Sequence, residues 1–223
     1  MATQPVDVRS ARRGLAEAAV VMVAYFAISL WSRYDPILFL AVVGLGLLLP
    51  LGWAWIARDW RRQGFARAKL GPSLGLGAVI GLLTIVYLLL THRDPAAFPP
   101  PMLGVQLAAG VPIWLLILSP FQEFLFRGWL QPRLTEALGY RPGLALTAVL
   151  FAVWHYLPPF QGTTTSSLDL SSVGAVLTML GMGLAFGWAF RRTENIAAPW
   201  LAHALMGVGT ILVGRMTLVT VMP

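Results

Sequence analysis

Cysteine is absent from this 223-residue chain, so disulfides, thiolate nucleophiles and Cys-based metal sites are all excluded. Charge is scarce as well: 11% of the residues are charged and 57% are hydrophobic, against roughly 25% and 45–50% in an average soluble domain. A chain this short of polar surface cannot cover a water-facing globule, and it reads as an integral membrane protein. Acidic residues are fewer than basic ones, 9 against 16, for a formal charge of +7. That surplus invites a nucleic-acid partner. However, the arginines sit in short segments between apolar runs, without the aromatic interleaving of a nucleic-acid surface, so no nucleic-acid role is expected. The basic start followed by an apolar run has the outline of a signal peptide, but no small-residue cleavage site follows it. It is read as a first membrane helix.

A spanning helix needs about 20 mostly apolar residues. Seven segments qualify: 15–31, 36–57, 73–91, 105–133, 143–160, 173–190 and 196–219. Proline, glycine and polar residues break the chain between them. No repeat or linker divides it, so residues 1–223 form one domain: an all-α, polytopic bundle of about seven transmembrane helices. With the N-terminus inside, thirteen Lys and Arg side chains fall on the cytoplasmic side, from Arg9 to Arg192, against Arg33 and Arg93 outside. This bias explains the net charge through the positive-inside rule and needs no anionic partner beyond the lipid bilayer. Arg215 lies near the end of the last span. Gly77-x-x-x-Gly81 and Gly183-x-x-x-Gly187 are spacings that permit close helix packing.

Ionisable groups inside a bilayer cost several kcal/mol and point to function by default. Four stand out: Glu123 and Arg127 in the fourth span, His155 in the fifth and His203 in the seventh. Glu17 lies close enough to a helix end to snorkel. Glu123 and Arg127 are spaced i, i+4 and share a face, which suits a structural ion pair as well as chemistry. One carboxylate and two imidazoles on three helices suffice for acid–base work on a trapped water. They also approach a metal-ligand set, and they would equally serve a proton relay. Counting 1.5 Å per residue from the cytoplasmic helix ends puts His155 ~18 Å deep and His203 ~11 Å deep. If the fourth helix runs on through RGWLQPRL (127–134), with Arg133 as an interfacial anchor, Glu123 lies ~15 Å deep, level with both.

The local sequences around these residues resemble a known family, the CAAX protease and bacteriocin-processing (CPBP) intramembrane proteases. SPFQEFLFRGWLQPRL (119–134) is similar to its first motif, FAVWH (151–155) to its second, and APWLAHALMG (198–207) to its third, in order and on separate helices. The resemblance covers about 112–214. It implies a helical bundle with a cavity opening toward the cytoplasmic half of the membrane. It further implies that a glutamate and His155 activate a water, that His203 and a following Asn stabilise the oxyanion, and that Arg127 holds the acidic pair. No metal is required, and zinc is not favoured.

Two positions depart from the family pattern. The first motif begins with paired glutamates, but here the pair is Gln122-Glu123, and an amide cannot take a proton from water. Position 207, where the family has Asn, is Gly, and losing one oxyanion donor costs about 10²–10³ in rate. Asn195, two turns before His203, is poorly placed to replace it. For Glu123 to act as the base, the fourth helix must be rotated or locally unwound. The favoured expectation is an endopeptidase acting on a membrane-associated peptide, with Glu123, His155, His203, Arg127 and Gln122 as its site. The alternative is a catalytically degenerate member acting as an immunity or scaffold protein, and a transporter stands third. One lysine against fifteen arginines suggests a GC-rich bacterial genome, hence a multi-pass protein of the inner membrane.

Overall fold

The computed structural model describes residues 8–35, 37–91, 100–157 and 170–216. The expectations concerning His92, the polar 163–167 loop and the segment beyond 216 fall outside them. Among the described residues there are seven helices and no strand. They are α1 (Val8–Trp31), α2 (Ile37–Ile56), α3 (Leu70–Thr91), a composite α4, α5 (Tyr140–Trp154), α6 (Leu170–Thr193) and α7 (Ala197–Leu212). The composite α4 is one rod built from Pro100–Ile113, Trp114–Leu118, Ser119–Glu123, Phe124–Leu130 and Gln131–Leu138. The protein is an all-α polytopic membrane bundle, and large apolar side chains such as Val20, Leu48, Leu82 and Leu90 face outward, as lipid contact requires.

Among the described residues five helices are long and apolar enough to cross a membrane: Ala11–Trp31, Ile37–Ile56, Leu70–Thr91, Met102–Leu138 and Val173–Thr193. The other two are shorter than the sequence suggests. Helix α5 has 15 residues and α7 has 16, about 22–24 Å of helix against a hydrocarbon core of ~30 Å. The fifth span was expected to continue to 160, but it ends at Trp154. The seventh stops at Leu212, where Gly214 takes a positive φ of 75°. These two short helices carry His155 and His203. Helix α7 is largely interior, with Ala198, Ala202, His203, Met206 and Gly207 all buried.

Helix α7 also begins inside the protein. Asn195 is buried, accepts the Ala197 N–H (2.9 Å) and donates to the carbonyls of Ala66 (2.5 Å) and Ala68 (3.0 Å). The Ile196 N–H donates to the Gly64 carbonyl (3.0 Å). The loop after α2 therefore caps α7 from below, which is why six residues carry α7 from Ala197 to His203 while α4 needs fifteen from Glu123 to Leu138. Counting depth from one common surface misses this. At the same rim Lys69 donates to Glu194 (3.0 Å) and holds its carboxyl below the usual carboxylate range.

Close approach of α3 to α7 follows from the first small-residue spacing. A Cβ at Gly77 would stand 2.5 Å from the Ala198 carbonyl oxygen, and one at Gly81 would stand 2.5 Å from Leu205 Cβ. Helix α4 departs twice from α geometry, with π turns at Trp114–Leu118 and Phe124–Leu130. The Ser119 N–H bonds to the Trp114 carbonyl, and the Gln131 N–H bonds to the Phe126 carbonyl. Each π turn ends two residues before a proline, Pro120 and Pro132. A proline ring would collide with the carbonyl four residues back, which a locally widened turn relieves, and it brings no N–H of its own, which leaves a carbonyl to be satisfied elsewhere. In the i→i+5 pattern the missing Pro120 N–H orphans the Leu115 carbonyl. The Trp200 indole on α7 donates to it instead, at 2.7 Å.

Replacing Trp200 by Phe should therefore lower stability by about 1–3 kcal/mol, because the Leu115 carbonyl loses its donor where lipid offers none. Thermal unfolding in detergent measures this, and an unchanged midpoint would show that the bond does not support the π turn.

Candidate active site

Helix α4 contributes Gln122, Glu123 and Arg127, the C-terminal end of α5 contributes His155, and α7 contributes His203, all of them buried. Glu123 Oε1 accepts from Arg127 Nη1 at 3.0 Å and pairs with His203 Nδ1 at 2.6 Å. Arg127 Nη2 donates to the Gly183 carbonyl on α6 at 3.3 Å. One turn on, Gln131 Nε2 donates to the Gly187 carbonyl at 2.9 Å. The second small-residue spacing thus admits two α4 side chains to the backbone of α6. The Arg127 guanidinium lies 4.0 Å from the Phe151 ring centroid and 5.4 Å from that of Phe186. Aromatic faces accept a desolvated guanidinium where lipid would not.

Burying a cation and a carboxylate together is far less costly than burying either alone. The pair therefore explains how α4 carries both into the interior. With Nδ1 held against a carboxylate, neutral His203 carries its proton on Nδ1, and its Nε2 keeps a lone pair. Nε2 has no protein partner, and neither have Glu123 Oε2 and Gln122 Oε1. The Gln122 amide nitrogen donates to the Leu118 carbonyl at 3.0 Å. Buried polar atoms are ordinarily satisfied, so this cluster marks a place for a polar guest.

His155 is the C-cap of α5 rather than a mid-helix residue, and the chain's Pro158-Pro159 follows it. Its Nδ1 sits 2.8 Å from the Phe151 carbonyl. A carbonyl only accepts, so the proton is on Nδ1. Phe151 links the set: its ring centroid is 4.3 Å from that of His155 and 5.9 Å from that of His203, and Arg127 stacks on it. The structure thus places Glu123, Arg127 and His203 in direct contact and sets His155 one aromatic ring away. Among the described residues no group of three or more His, Asp or Glu is arranged to hold a metal ion.

Sequence reasoning missed Phe186 and Trp114, and it did not foresee how fully Arg133 is buried. Arg133, expected as an interfacial anchor, is buried. It lies 4.6 Å from the Trp53 ring and 4.1 Å from that of Trp129, donates to the Trp129 carbonyl (2.8 Å) and faces Glu17 (3.7 Å). Phe186 packs 5.3 Å from the His203 ring. Trp114 packs 5.8 Å from the same ring and fills the space beside Gly207. No periodicity could reveal it, because the first π turn shifts the α4 face.

Truncating Arg127 to Met should cost about 3–5 kcal/mol, since it strands a buried carboxylate. Thermal unfolding in detergent should show the loss, and a wild-type midpoint would mean that the ion pair is not what holds α4 in place.

No curated protein and no solved structure gives a significant match to the chain. A family description does: residues 104–209 match the type II CAAX prenyl endopeptidase, Rce1-like. The match begins in α4, ends in α7, and contains Gln122, Glu123, Arg127, His155 and His203. Over this segment, which carries all five site residues, the multi-pass helical membrane bundle is similar to the Rce1-like type II CAAX endopeptidases.

Proposed function

We propose that the protein hydrolyses a peptide bond of a membrane-anchored substrate, with His203 as the general base and Glu123 as the group that orients it. The observation that carries this reading is the 2.6 Å contact between His203 Nδ1 and Glu123 Oε1, with His203 Nε2 and Glu123 Oε2 both buried and unpartnered. A water held by Nε2 gives up a proton as its oxygen attacks the scissile carbonyl. The resulting imidazolium is stabilised by the Glu123 carboxylate, which Arg127 holds in place. The proton then passes from Nε2 to the leaving amine as the C–N bond breaks, so the imidazole returns to its starting form. His155, with its Nδ1–H bonded to the Phe151 carbonyl, flanks the dyad across the Phe151 ring.

In this scheme the two imidazoles exchange the roles that the family resemblance implies, and the loss of a carboxylate at Gln122 is no longer fatal. The π turn Trp114–Leu118 lies just upstream of Glu123 and shifts the face on which α4 presents it. A second reading, a non-catalytic immunity or scaffold protein, draws on the same departures, since Gln122 lacks a carboxylate and Gly207 lacks a donor. The cytoplasmic N-terminus and the bacterial inner-membrane location are part of the proposal, as is cleavage in the cytoplasmic half. They draw on the arginine-rich segments around Arg61, Arg67 and Arg191.

In detergent, with a quenched-fluorescence library of membrane-anchored peptides, wild-type cleavage should fall at least about 10³-fold in Glu123→Gln and in His203→Ala, the scale on which a catalytic dyad's loss is felt. Wild-type rates in either variant would remove the dyad, and no wild-type cleavage would favour the binding reading. Reporter fusions after Asp94 and after Ser166 should both read extracytoplasmic, and a cytoplasmic signal at either would overturn the orientation.

A further inference from the structure

Trp114 opens the first π turn of α4 and is 7% exposed, yet its indole N–H has no partner. A buried N–H donor without an acceptor is costly, and native proteins rarely keep one without a reason. Its surroundings supply one. The indole packs at a 42° tilt 5.8 Å from the His203 ring. It also occupies the space beside Gly207, one turn beyond His203 on the same face of α7. A Cβ built at Gly207 would overlap the fused-ring atoms of that indole. Trp114 and Gly207 are therefore one steric unit: the tryptophan fits only because position 207 has no side chain. The neighbouring His203 Nε2 and Glu123 Oε2 are buried and unpartnered too, both suited to hold a water. Neither of them can serve a developing oxyanion, since each is an acceptor in the state described above.

We infer that Trp114 is a catalytic residue whose indole N–H donates to the scissile carbonyl oxygen as it becomes an oxyanion. This rests on the endopeptidase reading of the same site. Chemically, the attack of water places negative charge on the carbonyl oxygen, and a fixed donor in a water-poor site stabilises that charge more than it stabilises the neutral carbonyl. The bond is made in the transition state and imposes no proton transfer on the indole. Gly207 contributes by vacancy of its side chain, so a donor lost from α7 is supplied by α4.

Three variants test this with the peptide library and thermal unfolding. Trp114→Phe keeps an aromatic ring over Gly207 and deletes only the N–H. It should lower kcat about 10²-fold with little change in KM, while the unfolding midpoint holds or rises because an unsatisfied donor has gone. A Trp114→Phe enzyme within about threefold of wild-type kcat would overturn the assignment. If Trp114→Phe is unstable, Trp114→Ala and the double variant Trp114→Ala/Gly207→Asn decide: deleting the ring clears room at 207, and an Asn amide there should restore at least about tenfold over Trp114→Ala, a small part of one oxyanion donor's effect. A double variant that folds and regains nothing overturns it as well. Absent wild-type cleavage, the endopeptidase reading falls first and takes this inference with it. Wild-type cleavage that Glu123→Gln abolishes, paired with an unimpaired Trp114→Phe, would overturn only the role of Trp114.

Discussion

One carboxylate organises the interior of this protein. Glu123 Oε1 takes a hydrogen bond from Arg127 on its own helix and another from His203 on α7. A lone carboxylate at that depth would be neutralised or expelled. Paired with a guanidinium that stacks on Phe151 and Phe186, it has a partner of opposite charge and fixes the register between α4 and α7. Arg127 also reaches the backbone of α6 at Gly183. Three helices are thereby held by a single charge pair and its hydrogen bonds. The aromatic shell around them excludes lipid from the polar centre.

The shape of α4 explains how such a centre can exist within a helix that is mostly apolar. Two prolines forbid regular α bonding at their positions, and the chain answers each with a π turn just upstream. A π turn accommodates one extra residue, so the side chains beyond it are rotated by about one position, ~100°. Glu123 lies between the two turns. The cost is an orphaned carbonyl at Leu115, and Trp200 covers it from α7. The helix that bears Glu123 and the helix that bears His203 are consequently tied twice, once by the acid–imidazole contact and once by an indole.

Much of this was legible in the sequence, and the limits have physical causes. Hydropathy alone gave the bundle, and the small-residue spacings at Gly77, Gly81, Gly183 and Gly187 marked real close approaches. The intramembrane Glu123, Arg127 and His203 stood out because a bilayer makes such groups expensive, and they do meet. The short lengths of α5 and α7 were hidden, since apolar residues continue past Trp154 and Leu212 and hydropathy cannot distinguish a buried turn from a span. The buried entry of α7 depends on Asn195 bonding to a loop more than a hundred residues earlier, which no local pattern records. Arg133 illustrates the same point: from the sequence it was an interfacial cation, but two tryptophans and Glu17 take it inside. Trp114 was invisible because its direction depends on a π turn that periodicity presumes absent.

The central claim is that Glu123 fixes the His203 proton on Nδ1 and leaves Nε2 as the base. The chain has only three histidines, so nitrogen NMR of histidine-labelled protein in detergent at pH 8, assigned with His92→Gln and His155→Gln variants, can read this directly. The account predicts an Nδ1–H tautomer for His203 with an unprotonated Nε2, and loss of that preference in Glu123→Gln. An Nε2–H tautomer in the wild type, or a tautomer indifferent to Glu123→Gln, would contradict it.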